Sequence, residues 1–257
     1  MTEIPEILID KLAAASNIAI LTGAGVSAES GIKTFRDPDG LWAKFNPAEL
    51  ASMNGFLANP ELVWEWYAMR VDVIKNAEPN PGHFAIAELE KMYQNFTLIT
   101  QNVDRLHQRA GSQTVLELHG NIVENHCSKC HRPFKGETAL PDMQLPKCPD
   151  CGGNIRPSVV WFGENLPVKA LNGAEHAAKK SDVFFTIGTS GEVYPAAQLP
   201  LIAKNSGAFV VEINPNKTSL TPYLSLHLSG TSGELMPVII ELLKDRKGTN
   251  YGLWNRN

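Results

Sequence analysis

The chain has 257 residues, 43% of them hydrophobic and 19% charged, with a formal net charge of −4. That fits one large domain, or one domain with a small insertion. It excludes a dedicated basic nucleic-acid surface and, with no apolar run near the roughly 18 residues a bilayer requires, a membrane-spanning helix. Met1–Pro5 has neither a basic start nor an apolar core, so a cytoplasmic protein is expected, and its four cysteines favour metal binding over disulfides.

A helix is expected over Glu6–Ala15, followed by a buried strand at Ile18–Leu21. Next comes the stretch Thr22–Trp42, TGAGVSAESGIKTFRDPDGLW. Gly23, Gly25 and Ala28 fit the G-x-G-x-x-G/A turn of dinucleotide-binding folds. Such glycines let the backbone approach phosphate oxygens, and the amides of the following helix point at the negative charge. The motif is weak alone, but here it follows a strand and opens a short helical pattern. An ordinary dinucleotide fold would continue into a second strand ending in an acid that grips the ribose. Instead the chain breaks at Gly31 into Phe35-Arg36-Asp37-Pro38-Asp39-Gly40, a polar turn-rich loop that reads as a lid over a reacting centre.

Pro47–Lys75 is helical in pattern, interrupted near Asn54-Gly55, with Leu62, Trp66, Met69, Val73 and Ile74 spaced as one apolar face. Tyr67 and Arg70 share a turn beside it. An arginine there reads first as a side chain snorkelling from the rim of the stripe. Pro81–Met92 is a further helix, and Phe96–Thr100 a strand that delivers Gln101-Asn102-Val103-Asp104 at its carboxyl end, where ligands bind in open α/β sheets. Val115–Leu118 is a strand delivering His119-Gly120-Asn121, which makes His119 a candidate general base.

Cys127-x-x-Cys130 and Cys148-x-x-Cys151 are separated by 17 residues, a strong zinc-site spacing. Four thiolates fill a tetrahedron, so the metal would be structural, with His126 and His131 as bystanders. The intervening segment carries Pro133, Gly136, Pro141 and Pro146, has little core, and would depend on the metal to fold. Two disulfides are the alternative, disfavoured by the compartment.

Arg156–Glu164 is an apolar extended segment. Helices are expected at Val168–Lys180, Ala196–Ala203 and Gly233–Lys244. Strands at Val183–Ile187 and Ala208–Ile213 end in Gly188-Thr189-Ser190 and Asn214-Pro215-Asn216, and Asp245–Asn257 is a polar, loose tail. The alternation implies a Rossmann-like parallel sheet with helices on both faces. Residues 1–45, 78–122 and 156–244 would form that domain, and 46–77 with 123–155 a small helical and zinc-ribbon domain.

Taken together, GAGVSAESGIKTFRDPDGLW, TQNVDRLHQRAG, the HGN after LEL, the paired CxxC, RPSVVWFGENLP, GTSGEVYP and EINPN resemble the sirtuins, NAD-dependent protein deacylases, across nearly the whole chain. The resemblance implies that the Thr22–Gly25 turn with Gly23, Ala24 and Gly25, together with Phe35, Arg36, Trp42, Gln101 and Val103, holds NAD. Ile32, Asn102 and Asp104 would form the nicotinamide pocket, with Asn102 counted beside the base His119 in the catalytic set. Gly188, Thr189, Ser190, Asn214, Pro215, Asn216 and Ser232 would meet the adenosine half. Val160, Phe162, Gly163, Glu164, Glu192, Val193 and Tyr194 would clamp the substrate peptide as an added strand. Zinc would sit on the four cysteines.

Tyr67 and Arg70 match the Tyr-x-x-Arg pair of the subgroup resembling the mitochondrial desuccinylase and demalonylase, which reverses the snorkelling reading: phenol and guanidinium would grip the distal carboxylate of a succinyl- or malonyl-lysine. Lys33 departs from the usual Pro, loosening that turn. The family implies release of nicotinamide, free lysine and O-acyl-ADP-ribose from a protein substrate, by a chain expected to be monomeric. The alternatives are an NAD-consuming mono-ADP-ribosyltransferase or glycohydrolase, and a non-enzymatic zinc-ribbon binding module.

Overall fold

The computed structural model describes residues 3–34, 46–135 and 145–254, the last six by their backbone. Among the described residues the strands are β1 (Asn17–Thr22), β2 (Asn95–Thr100), β3 (Val115–Glu117), β4 (Gly120–Cys127), β5 (Pro133–Phe134), β6 (Ile155–Val159), β7 (Val183–Ile187), β8 (Phe209–Ile213) and β9 (Leu226–Leu228). Six of them form a parallel sheet in the order β3-β2-β1-β7-β8-β9. Counted within that sheet, the order is 3-2-1-4-5-6, the doubly wound arrangement of dinucleotide-binding domains.

Period-two alternation divides the central strands between two helix layers. Ile18 and Ile20 of β1, Phe185 of β7 and Val211 of β8 pack with Leu8, Leu12, Ile86, Leu89, Met236 and Ile239 on one face. Ala19, Leu21, Phe184 and Val210 meet Ala174, Ala178, Leu199 and Ala203 on the other. A strand buried on both faces reads as an unbroken apolar run, which is why β1 and β7 are so plain in the sequence.

β4, β5 and β6 form a separate antiparallel sheet. The helix Pro60–Asn76 is pinned to it by Trp64, whose Nε1 donates to the Ile155 carbonyl at 2.9 Å. Phe56, Val63, Trp66, Tyr67, Ile155 and Trp161 share this second core.

The structure departs from expectation at three places. The helical stretch after residue 46 breaks not at Asn54-Gly55 but at Ala51-Ser52 and at Asn59, giving helices Pro47–Leu50, Met53–Ala58 and Pro60–Asn76. Ser52 and Asn59 cap the second and third, accepting from Gly55 and Leu62 amides at 3.0 and 3.1 Å, and Gly55 lies inside the second.

The apolar face of Pro60–Asn76 is also rotated. Val63, Trp66, Tyr67 and Ile74 are buried, whereas Leu62, Met69 and Val73 are 41, 56 and 51% exposed. Arg70 therefore falls on the inward face at helical spacing from Val63, Trp66, Tyr67 and Ile74, rather than on its rim.

Finally, the last helix runs from Ser232 to Trp254 instead of stopping at Lys244. Arg246 pairs with Glu6 and Asp10 at 2.7 and 2.6 Å, and the Lys247 ammonium lies 4.2 Å from the Tyr93 ring centroid, so this polar stretch docks against the first helix and its neighbours. No described helix is long and apolar enough to cross a membrane.

Candidate active site

The carboxyl ends of β1, β2, β7 and β8 open into a cleft of about 610 Å3 that continues under the helix Pro60–Asn76. At the switch point between β1 and β7 two loops cross. Gly23 donates to the Ile187 carbonyl at 3.0 Å and Gly25 to the Gly188 carbonyl at 2.9 Å. A Cβ on Gly23 would sit 2.7 Å from the Gly188 oxygen, and one on Gly25 would sit 2.8 Å from the Gly188 Cα. The glycines thus allow the crossing of two loops, besides leaving the open backbone expected for a phosphate's approach. With the Val26 amide bonded to the Gly23 carbonyl at 3.1 Å, Ala24 is the amide of the turn without a partner among the described residues.

Beside this turn, Asn102 donates to the Gly23 carbonyl at 3.0 Å and to the Ser27 hydroxyl at 3.1 Å. Ser27 in turn donates to Asp104 at 2.7 Å, and the other Asp104 oxygen accepts from the Leu106 amide at 2.9 Å. Burial raises the Asp104 carboxyl. The Leu106 amide, the Ser27 hydroxyl and the charges of Arg70 and Arg109 oppose that rise. Gln101, Val103 and Ile32 line the same end of the cleft.

His119 is held through Nδ1, 3.0 Å from the Gln101 carbonyl. A carbonyl only accepts, so Nδ1 carries the proton and Nε2 keeps its lone pair. Burial lowers the imidazole pKa, with the Gln101 bond pulling the other way, so the ring is neutral near neutral pH and able to accept a proton. Gly120, at φ +67°, sits so close to β6 that a Cβ there would lie 2.0 Å from the Ser158 oxygen. The Val160 amide donates to the His119 carbonyl at 2.9 Å.

The residues expected to meet the adenosine half, Gly188, Thr189, Ser190, Asn214, Pro215, Asn216 and Ser232, all line the cleft. Asn214 donates to the Thr189 carbonyl at 2.8 Å, locking the β7 and β8 loops together. The Ser232 hydroxyl is engaged by Glu29 at 3.1 Å. Glu29 also accepts from Thr231 and the Gly233 amide at 2.8 and 2.9 Å, tying the end of the short helix Ala24–Ala28 to the start of the last helix of the chain.

Of the residues expected to clamp a peptide, Val160, Phe162, Gly163, Glu164, Val193 and Tyr194 line the cleft and Glu192 does not. Phe162 and Tyr194 are 58 and 65% exposed at its rim. The amides of Val160 and Phe162 are taken by His119 and Ala51 carbonyls, so an added strand would find instead the Val160 carbonyl and the Gly163 amide, which have no partner among the described residues. The Glu164 carboxylate faces inward, bonded to Arg156 and, at 2.8 Å, to the Trp161 amide. Phe35, Arg36, Trp42 and the lid expected around them lie outside the described residues.

Tyr67 and Arg70 line the deep end of the cleft. Burial raises the Tyr67 phenol and lowers the Arg70 guanidinium, each countered by the other's charge. Away from the cleft, the thiols of Cys127, Cys130, Cys148 and Cys151 lie within 4.8 Å of one another, two pairs at 3.5 and 3.7 Å. Zinc–sulfur bonds of about 2.3 Å on a tetrahedron require separations near 3.8 Å, so the four thiols fit that ion. His126 bonds Ser158 at 2.9 Å and is not among the clustered donors.

Ser27 and Glu29 line the cleft and sequence reasoning passed over them, and it placed Trp161 only as part of the extended Val160–Glu164 stretch. Ser27 carried a signal, a hydroxyl in the first turn after the glycines. Glu29 and Trp161 act through partners more than 90 residues away, which no local pattern reveals.

A doubly wound sheet whose switch point opens beside a neutral imidazole, joined to a four-thiol module, describes a dinucleotide-dependent enzyme with a structural metal site. More narrowly, the chain belongs to the Sir2 family, whose model matches residues 23–195. It is 50% identical over 234 residues to an NAD-dependent protein deacylase of Aquifex aeolicus (strain VF5), covering 91% of this chain and 98% of that one. Among solved structures, a Sir2 homolog–NAD complex superposes with a TM-score of 0.89 at 46% identity, covering 95% and 96% of the two chains. A Sir2–p53 peptide–NAD+ structure superposes at 0.83 and 35% identity, covering 93% and 98%.

Proposed function

We infer that this chain is an NAD-dependent protein-lysine deacylase, and we propose that its acyl pocket takes succinyl and malonyl groups as well as acetyl. The observation that carries the reading is the continuity of one cleft from the crossed glycine loops, past the free Nε2 of His119, to Tyr67 and Arg70. NAD, as co-substrate, supplies nicotinamide as leaving group and the ADP-ribosyl acceptor of the acyl group.

The chain's own residues do the rest. Ala24, Gln101, Val103 and the loops at Gly188–Ser190 and Asn214–Asn216 hold the dinucleotide. Asn102 and Asp104, locked through Ser27, set the nicotinamide end with Ile32. Phe35, Arg36 and Trp42 belong to the same set by resemblance. Nε2 of His119 takes the ribose hydroxyl proton. Val160, Phe162 and Gly163 on one side and Val193 and Tyr194 on the other bracket an extended peptide. The small domain of residues 46–77 and 123–155 carries structural zinc, and four unpaired thiols suit a reducing cytoplasm.

The deciding experiment is mass spectrometry of acetyl-, malonyl- and succinyl-lysine peptides with and without NAD. The expected products are free lysine, nicotinamide and O-acyl-ADP-ribose, the last only when acyl-lysine is supplied. ADP-ribosylated protein, or free ADP-ribose without acyl-lysine, would favour a transferase or a glycohydrolase. Arg70→Met should lower desuccinylation at least about tenfold more than deacetylation, as loss of a charged hydrogen-bond partner implies.

A further inference from the structure

Trp161 has no part in the roles assigned so far, yet it is buried and specifically bonded. Its Nε1–H donates to the Tyr67 phenol oxygen at 2.8 Å. The phenol therefore has its acceptor side filled, while its own proton meets no acceptor among the described residues. Tyr67 is itself 1% exposed and lines the cleft one helical turn from Arg70. A buried hydroxyl proton without an acceptor costs free energy until a ligand supplies one. Burial also keeps that proton on the phenol.

The indole is fixed in its turn. The Arg156 guanidinium carbon lies 3.3 Å from the centroid of its ring, and Phe56 packs at 5.2 Å between centroids. Glu164 closes the arrangement, pairing with Arg156 through both oxygens while accepting the backbone amide of Trp161. Arg156 is buried, so neither charge of this pair can be lost without stranding the other. A phenol open on both sides can turn its proton either way. One whose lone pair is pinned from behind presents the proton forward.

We propose that Trp161, held by the Arg156–Glu164 pair, is a specificity-determining positioning residue that commits the Tyr67 hydroxyl to donate into the acyl pocket and so favours acyl groups tipped with a carboxylate oxygen. The proposal rests on the acyl-pocket reading of Tyr67 and Arg70.

The test is calorimetric binding of succinyl- and acetyl-lysine peptides to the wild type, Trp161→Phe, Tyr67→Phe, the double variant and Arg70→Met. Trp161→Phe should shift the ratio of the two dissociation constants about fivefold against succinyl, the size of one net hydrogen bond. In the Tyr67→Phe background the same change should add nothing, because the indole acts through the phenol. An equal loss for both peptides, or a Trp161→Phe effect that persists without the phenol, would overturn the proposal while Arg70→Met still separates the acyl classes. If Arg70→Met and Tyr67→Phe both leave the ratio unchanged, the carboxylate clamp itself falls and the proposal falls with it. Should phenylalanine unfold the chain, benzothienylalanine at position 161, with sulfur in place of N–H, keeps the volume and gives the same readout.

Discussion

The parallel sheet and the small module are built on different terms. In β7 and the helix Val168–Lys180 the observed bounds coincide with those expected from the sequence. The helix Pro60–Asn76 was equally plain as a helix, yet its buried face was misjudged. The central strands β1 and β7 are mostly apolar and buried along nearly their whole length, so no choice of face remains open there. The module's helix carries apolar residues on its exposed side as well, Leu62, Met69 and Val73, and its orientation is fixed by remote partners: the Ile155 carbonyl on Trp64 and the Trp161 indole on Tyr67. Local pattern decides the element, and distant bonds decide what it points at.

The sharpest way to break that comparison is to remove the metal. The module's core reaches the thiols, with Cys127 and Cys148 packed among Phe56, Ile155 and Trp161. Chelation should unfold it, since binding free energy at such sites is folding free energy of about 10 kcal/mol or more. Hydrogen exchange should show amides of β4 and β6 losing protection while those of β1 and β7 keep theirs. Uniform loss across both sheets would mean that the two regions are one cooperative unit.

His119→Ala sharpens the comparison from the sheet side. Turnover should fall about 10²- to 10⁴-fold, the range for a general base, with NAD affinity little changed. In the wild type, burial lowers the His119 pKa, so its reactive neutral form persists to more acidic pH than a free imidazole's. The acidic limb of kcat/KM should therefore turn below about 6.5, the ordinary histidine value. A limb turning above that value would mean that a different group titrates.

Acid should also strike the sheet side of the molecule. His83, buried in the helix Pro81–Lys91 and packed at 4.8 Å on the His107 ring, has its pKa lowered by burial to about 4. Its Nδ1 accepts from the Asn80 amide at 3.3 Å, a role that requires the neutral ring. Between pH 6.5 and 4 the unfolded chain binds a proton that the folded chain refuses. The contribution is complete above 6.5 and lost as pH falls through that window, at most about 3 kcal/mol. Urea titrations should show this slope, and His83→Gln should flatten it.

What the sequence disclosed about the site follows the same division. Asn102, Asp104, His119 and the loops Gly188–Ser190 and Asn214–Asn216 all sit at the carboxyl ends of legible strands, so placing the strands placed them, and the spacing of the four cysteines needed no fold at all. Glu192, expected by resemblance beside Val193 and Tyr194, does not line the cleft those two border. Glu164, expected by resemblance to meet the peptide, lines the cleft, and its carboxylate also bonds Arg156, eight residues earlier across a bend in the chain. Bonds of that kind depend on how a segment returns, which no periodicity records.

The smallest effect tests the motif on which the reading began. G-x-G-x-x-A was explained through phosphate approach, and the structure adds that Gly25 must also clear Gly188. If the crossing dominates, Gly25→Ala should destabilise the protein without NAD present, by about 1–3 kcal/mol, the usual cost of forcing a methyl group into packed atoms. Weakened NAD affinity would then follow from the displaced β7 loop, because Gly188–Ser190 and the Gly23–Ala24 turn move together. If thermal unfolding of the apo variant matches the wild type and NAD binding alone suffers, the glycine is there for the phosphate, and the crossing tolerates the methyl group by a shift of Gly188.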